Sequence, residues 1–102
     1  MILAYVPDLM DRSKVAAVAD VTFAAQVDDL INLINGEADV VVVDLSRPGV
    51  LDAIPAIRSG RIIGFASHVD RPLLDAARTA GCTEVLARSA FFARVADLLE
   101  GG

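Results

Sequence analysis

Charged and hydroxyl side chains follow several apolar segments of the chain, and these side chains are the candidates for chemistry. Asp44 ends a run of four valines, Ser67 and His68 follow the apolar segment Arg61–Ala66, and Arg88 follows a later one. A serine beside a histidine suggests a hydrolase, but neighbouring side chains rarely face each other, and no G-x-S-x-G turn surrounds this serine. The chemistry that remains is that of carboxylates and a cation.

Two further carboxylates, Asp8 and Asp11, follow the first apolar segment of the chain. For Asp44 a structural role competes with a chemical one, because paired buried acids are common without catalysis. In the structural role, Arg88 or loop N–H groups hold its carboxylate. The lone Cys82 precedes a predicted strand at the opposite end and is expected to be a small buried apolar side chain.

Composition excludes several classes of protein. The 102 residues fit one domain, and 55% hydrophobic against 23% charged residues indicates a folded globule. A net charge of −5 disfavours binding to nucleic acid, whose phosphates are neutralised by Lys and Arg. No apolar stretch approaches the roughly 20 residues that cross a membrane. With a single cysteine and no export signal, we expect a cytoplasmic protein.

Short apolar runs, several rich in β-branched residues, predict five strands. The third strand, with four consecutive valines, is too hydrophobic to be half-solvated and is expected to be covered on both faces. The predicted strands are Ile2–Val6, Val21–Ala25, Asp39–Leu45, Arg61–Ala66 and Thr83–Ala87.

Helical spacing of apolar residues follows each strand. The capping residues assigned to these helices are acids or serine at the start and glycine at the end. The predicted helices span Asp8–Ala19, the stripe Val27–Ile34 closed by Gly36, Ala53–Arg58 capped by Asp52, a helix from Asp70 to the terminator Gly81, and a last helix capped by Ser89. Five strand–helix units in a row require a parallel sheet with helices on both faces. The functional crevice of such a sheet lies at the carboxyl ends of its strands.

The third strand with its loop, Val40–Gly49, resembles the phosphoacceptor segment of the receiver domains of bacterial response regulators, and Gly81–Ser89 resembles their fifth strand and switch-lysine loop. The resemblance covers essentially the whole chain. It implies a flavodoxin-like (βα)5 three-layer sandwich with strand order 2-1-3-4-5 and a role in two-component signal transduction.

The same resemblance assigns roles to residues of this chain. Asp44 takes the place of the phosphoacceptor, and Asp8 with Asp44 takes that of a weak or missing Mg²⁺ site. Ser67 and Arg88 are the candidates for phosphate or anion binding. Asp11 is a further candidate to support the metal.

The family's site is altered at several positions. Its acidic pair corresponds to Val6-Pro7-Asp8, its hydroxyl falls on Ala66 with Ser67 one residue later, and its lysine is replaced by Arg88. A planar guanidinium does not substitute freely for a compact ammonium, and Mg²⁺ short of a carboxylate binds weakly. We therefore expect a pseudo-receiver that is not an enzyme and has no required cofactor.

The resemblance also suggests a partner surface, formed by the fourth and fifth helices and the strand between them. Phe91 and Phe92 are the candidate interaction residues there, for a protein partner or a homodimer. Because only Gly101 and Gly102 follow the last helix, we expect a stand-alone module. The alternatives are a working receiver phosphorylated at Asp44, in which Mg²⁺ is needed, and a small-ligand binder that uses the same crevice.

Overall fold

The computed structural model of the chain describes residues 1–33 and 37–100. Within them, five parallel strands form one sheet in the order β2-β1-β3-β4-β5, which confirms the predicted fold class and strand order. The strands are β1 (Ile2–Tyr5), β2 (Val21–Phe23), β3 (Val40–Asp44), β4 (Ile62–Ala66) and β5 (Glu84–Ala87).

Helices cover both faces of the sheet. They are α1 (Leu9–Ala16), α2 (Asp28–Ile31), α3 (Val50–Ala53), α4 (Arg71–Ala80), α5 (Arg88–Ala93) and α6 (Val95–Glu100), with a 3₁₀ turn at Ile54–Ala56. No helix among the described residues has the length and apolar character to cross a membrane.

The four valines of β3 explain the three-layer arrangement. All residues of β3 are buried, and successive side chains point to opposite faces of the sheet. Val41 and Val43 belong to the core beneath α2, α3 and α4, whereas Val40 and Val42 belong to the core beneath α1, α5 and α6. The sheet therefore has two cores, one on each face.

The caps of α4 agree with the sequence. The Asp70 carboxylate accepts a hydrogen bond from the Leu73 N–H, and Gly81 ends the helix with φ 126°. That left-handed backbone angle suits glycine, which has no Cβ to clash.

Four helices differ from the prediction. The first helix ends at Ala16, three residues before the predicted Ala19. Asp52 does not cap the third helix, which begins three residues earlier than predicted, after Gly49 in a left-handed conformation. Ser89 does not cap the last helix, because Ala87 precedes α5, and Arg94 separates α5 from α6. The second helix is a single turn, and the predicted positions Ile34 and Gly36 lie outside the described residues, as do Gly101 and Gly102.

Candidate functional site

The carboxyl ends of β1, β3, β4 and β5 bring the predicted site residues to one edge of the sheet. Asp44 pairs in register with Phe65, and Ala66 pairs with Ala87, so that these strands end almost level. Asp8 and Ser67 lie in the loops that follow, and Arg88 begins α5 directly after β5.

The most buried acid at this edge is Asp11, which is 1% exposed. It lies in the first turn of α1, and four residues later Val15 occupies the same buried face. The spacing of α1 therefore directs the Asp11 carboxylate toward the sheet. One of its oxygens, Oδ2, is buried and has no hydrogen-bond partner among the described residues.

Arg88 supplies the counter-charge to Asp11. Its Nη2 donates a hydrogen bond to Asp11 Oδ1, which joins the start of α5 to the start of α1. That hydrogen bond, together with the charge of Asp11, raises the pKa of Arg88, and the charges of Asp44 and Asp8 act in the same direction. Arg88 is therefore paired with the buried Asp11, and the carboxylates of Asp44 and Asp8 lie near enough to favour its charged form.

Aromatic rings fix the other side of the Arg88 guanidinium. Its central carbon lies 5.2 Å from the ring centre of Phe92 and 5.8 Å from that of Phe65. A cation over the face of an aromatic ring is attracted by the ring's quadrupole, which is negative on that face. Phe65 also stacks on Phe91, with ring centres 4.6 Å apart. The position of Arg88 is thus set by both a salt bridge and packing.

Asp44 is buried and accepts its hydrogen bonds from its own loop. Its Oδ1 accepts from the Ser46 N–H at 3.0 Å and from the Ser46 hydroxyl at 2.6 Å. Its Oδ2 accepts from Arg47 Nε at 3.4 Å, a weak ion pair. Of the two partners considered for a structural Asp44, the loop N–H is present, together with the Ser46 hydroxyl and Arg47, whereas Arg88 bonds Asp11 instead.

Asp8, the predicted metal ligand beside Asp44, caps α1. Its Oδ1 accepts a hydrogen bond from the Asp11 N–H at 3.0 Å, and this bond lowers the pKa of Asp8. The carboxylate is solvent-exposed. The spacing D-x-x-D at the start of a predicted helix is the sequence signal for this role, because a capping side chain bonds the N–H three residues later.

Ser67 and His68 are both exposed after β4. The Ser67 hydroxyl accepts a long, 3.4 Å hydrogen bond from the Val69 N–H within its own loop. Among the described residues neither side chain joins the Asp11–Arg88 pair.

The residues at this edge do not fit a Mg²⁺ site of the family's kind. In the described ranges, no three Asp, Glu, His or Cys side chains converge in a way that would hold a metal ion. Asp8 caps a helix, Asp11 is paired with a cation, and Asp44 accepts from Ser46 and Arg47. Mg²⁺ needs several oxygen ligands in near-octahedral geometry, which this arrangement does not offer.

The two candidate interaction residues have different positions. Phe91 is fully buried against Phe65, so the prediction that it lies on an interaction surface is wrong. Adjacent residues of a helix point about 100° apart, and Phe91 takes the core direction. Phe92 is half-buried and lies under the ammonium of Lys14 at 5.0 Å and under Arg88, so only Phe92 of the two reaches the surface.

No protein-family model matches the chain, and no curated protein matches it significantly in sequence. Solved structures do match its fold. A response regulator from Hahella chejuensis superposes with a TM-score of 0.80 at 14% sequence identity, over 97% of this chain and 91% of that one.

Two CheY-like proteins have similar folds. A CheY-like response regulator from Mesorhizobium loti gives a TM-score of 0.65 at 13% identity, covering 98% of this chain and 95% of its own. The CheY-like protein TadZ from Pseudomonas aeruginosa gives 0.64 at 18% identity, covering 98% and 96%. The chain therefore has the fold of CheY-like response-regulator receiver domains, over nearly its full length.

Proposed function

We propose that this chain is a receiver-like signalling module that binds a protein partner and is not phosphorylated at Asp44. The observation that carries the proposal is the pairing of Arg88 with the buried Asp11. A fixed cation already neutralises the most buried acid of the site. The fold points to two-component signalling, whereas the altered site favours a pseudo-receiver.

Charge supports this interpretation. Phosphoryl transfer to a carboxylate needs a cation that neutralises the incoming oxygens and an accessible nucleophile. Asp44 is 4% exposed. Its Oδ1 accepts a hydrogen bond from the Ser46 hydroxyl, and its Oδ2 forms an ion pair with Arg47. Arg88 would have to leave both Asp11 and the ring of Phe92 to contact a phosphoryl group on Asp44. Each of these contacts opposes phosphorylation.

The principal alternative is a working phosphoacceptor receiver. In it Asp44 is the nucleophile, Asp8 or Asp11 supports Mg²⁺, Ser67 supplies the hydroxyl and Arg88 holds the anion. The observation that favours it is Oδ2 of Asp11, which has no donor within residues 1–33 and 37–100, because a buried carboxylate oxygen without a donor is unusual.

The partner surface that we propose is the face of α4, β5 and α5. β5 is one of the two edge strands of the described sheet, and all four of its residues are half-buried. Phe92 of α5 is half-buried and lies under Lys14 of α1 and under Arg88, so its ring is turned toward α1. A protein partner or a second copy of the chain could contact this face.

The single, half-buried Cys82 is compatible with the reducing cytoplasm.

Metal dependence tests the proposal. Melting curves of the full chain in MgCl₂ and in a chelator, beside Asp44→Asn, compare the two functions directly, since a ligand of the native state raises Tm. We expect the same Tm for the wild-type protein in both buffers. A Mg²⁺-dependent rise in Tm that Asp44→Asn abolishes would favour the phosphoacceptor.

A further inference from the structure

A groove of about 250 Å³ runs between α4 and β5, apart from the Asp11–Arg88 site. Four of its lining residues come from α4 at positions i, i+3, i+4 and i+7, which form one face of a helix. The groove is lined by His68, Arg71, Leu74, Asp75, Arg78 and Ala87.

The groove is cationic in a chain whose net charge is −5. Among the charged side chains that line the groove, Arg71 and Arg78 outnumber Asp75. Among the described residues, the side chains of His68 and Arg71 make no hydrogen bond or ion pair. Arg78 is paired only with Asp75, in a 2.8 Å contact whose two side chains are 56% and 71% exposed. Such exposed pairs contribute little and exchange partners readily.

The geometry of the groove also fits a short peptide. Arg78 lies seven positions after Arg71 in α4, which is about 10 Å along the helix axis. An extended chain covers that distance in about three residues. Leu74, 8% exposed, lies between the two arginines and adds an apolar wall.

We infer that this groove binds an acidic segment of a protein partner, with two carboxylates about three residues apart that contact Arg71 and Arg78. Charge complementarity carries the inference, because the guanidinium groups of Arg71 and Arg78 attract carboxylates across an interface. The inference rests on the proposed interaction function and adds to it the chemistry of the partner.

A selection from a library of random short peptides, displayed on phage and applied to the immobilised full chain, tests the inference. Peptides that bind the wild-type protein are then measured by fluorescence anisotropy against Arg71→Glu/Arg78→Glu. The matched control is Arg58→Glu, which reverses the charge of an exposed arginine outside the groove. Backbone amide shifts in NMR spectra locate the bound peptide.

We expect enrichment of peptides with two or more Asp or Glu residues. Their binding should weaken about tenfold or more in the double variant, which is about 1.4 kcal/mol, and should remain in Arg58→Glu. Amide shifts should centre on residues 71–78 and Ala87. Selection of neutral peptides, equal binding by the double variant, shifts elsewhere or no binder at all would overturn the inference, as would a second copy of the chain found in the groove.

The selection uses neither phosphodonor nor metal. If the selection yields no acidic binder, the inference that the groove binds an acidic segment is overturned. The proposal that Asp44 is not phosphorylated is unaffected by that result. Phosphorylation of Asp44 would instead overturn the proposed function, so the two failures are distinguishable.

Discussion

Asp11 and Arg88 lie 77 residues apart in the chain, and their side chains form a salt bridge between the first turn of α1 and the start of α5. Asp11 is almost fully buried, whereas the Arg88 side chain is 45% exposed. The pair therefore links two helices on the same face of the sheet, at the edge where the family's chemistry would take place.

Removal of Arg88 should destabilise the fold. Arg88→Ala leaves the buried Asp11 carboxylate without its counter-charge. Loss of one partner of a fully buried pair costs about 3–5 kcal/mol, and the exposure of Arg88 reduces our expectation to roughly 2 kcal/mol. Chemical denaturation measures the change in free energy of unfolding. Arg88→Ala with Asp11→Asn should recover part of the loss, and an unchanged midpoint in Arg88→Ala would show that the pair is energetically neutral.

The two adjacent phenylalanines should respond differently to truncation. Phe91→Ala removes a ring buried between Phe65 and the core and should cost about 3–5 kcal/mol. Phe92→Ala is the matched control and should cost less, because that ring is half-buried. Unfolding curves of the two variants give the comparison. Equal losses would contradict the difference in burial.

Gly64 and Gly60 provide a second matched pair. A Cβ on Gly64 would lie 2.9 Å from the Leu45 methyl groups, in the interior of β4, whereas a Cβ on Gly60 would meet nothing within 4 Å. Overpacking of a core costs about 1–3 kcal/mol. We therefore expect Gly64→Ala to lower the free energy of unfolding by that amount and Gly60→Ala to leave it within about 0.5 kcal/mol. Similar values for both variants would contradict the close packing at Gly64.

Cys82 should react slowly in the folded protein. Burial raises the pKa of the Cys82 thiol to about 11, and the thiolate is the reactive form. Alkylation by iodoacetamide at pH 8 should therefore be far slower in the native chain than in urea, and the native rate should rise as pH approaches 11. Because the folded pKa exceeds that of the unfolded thiol, the associated stabilisation is complete below pH 9 and is lost as pH rises from 9 to about 11. Equal native and unfolded rates at pH 8 would contradict this burial.

The sequence was sufficient to predict five parallel strands, because the apolar runs are short, regularly spaced and separated by turn residues. The strand order followed from the resemblance to receiver domains and not from the pattern of apolar runs. The caps of α4 were also predictable, since Asp70 and Gly81 act through local backbone geometry. The third helix and the last helix were misplaced. The third helix begins after Gly49, and Arg94 ends α5. Neither residue is a strong capping signal in its sequence context.

The charged site was predictable only in outline. Asp44 and Arg88 were placed at the correct edge, but the salt bridge that forms joins Arg88 to Asp11. Asp8 and Asp11 are three residues apart, and the start of α1 decides which of them caps the helix and which faces the core. A shift of one residue in that start would change both roles, and strand patterns do not determine it.

The central claim concerns Asp44, and intact-mass spectrometry after incubation with a small phosphodonor and Mg²⁺ tests it most directly. The wild-type chain is compared with Asp44→Asn and with a chelator control, and an active receiver domain shows that the donor is competent. We predict no phosphoryl increment on the wild-type chain, because Asp44 is engaged by Ser46 and Arg47 and the nearby acids form no metal site. One phosphoryl group that requires both Asp44 and Mg²⁺ would contradict the account.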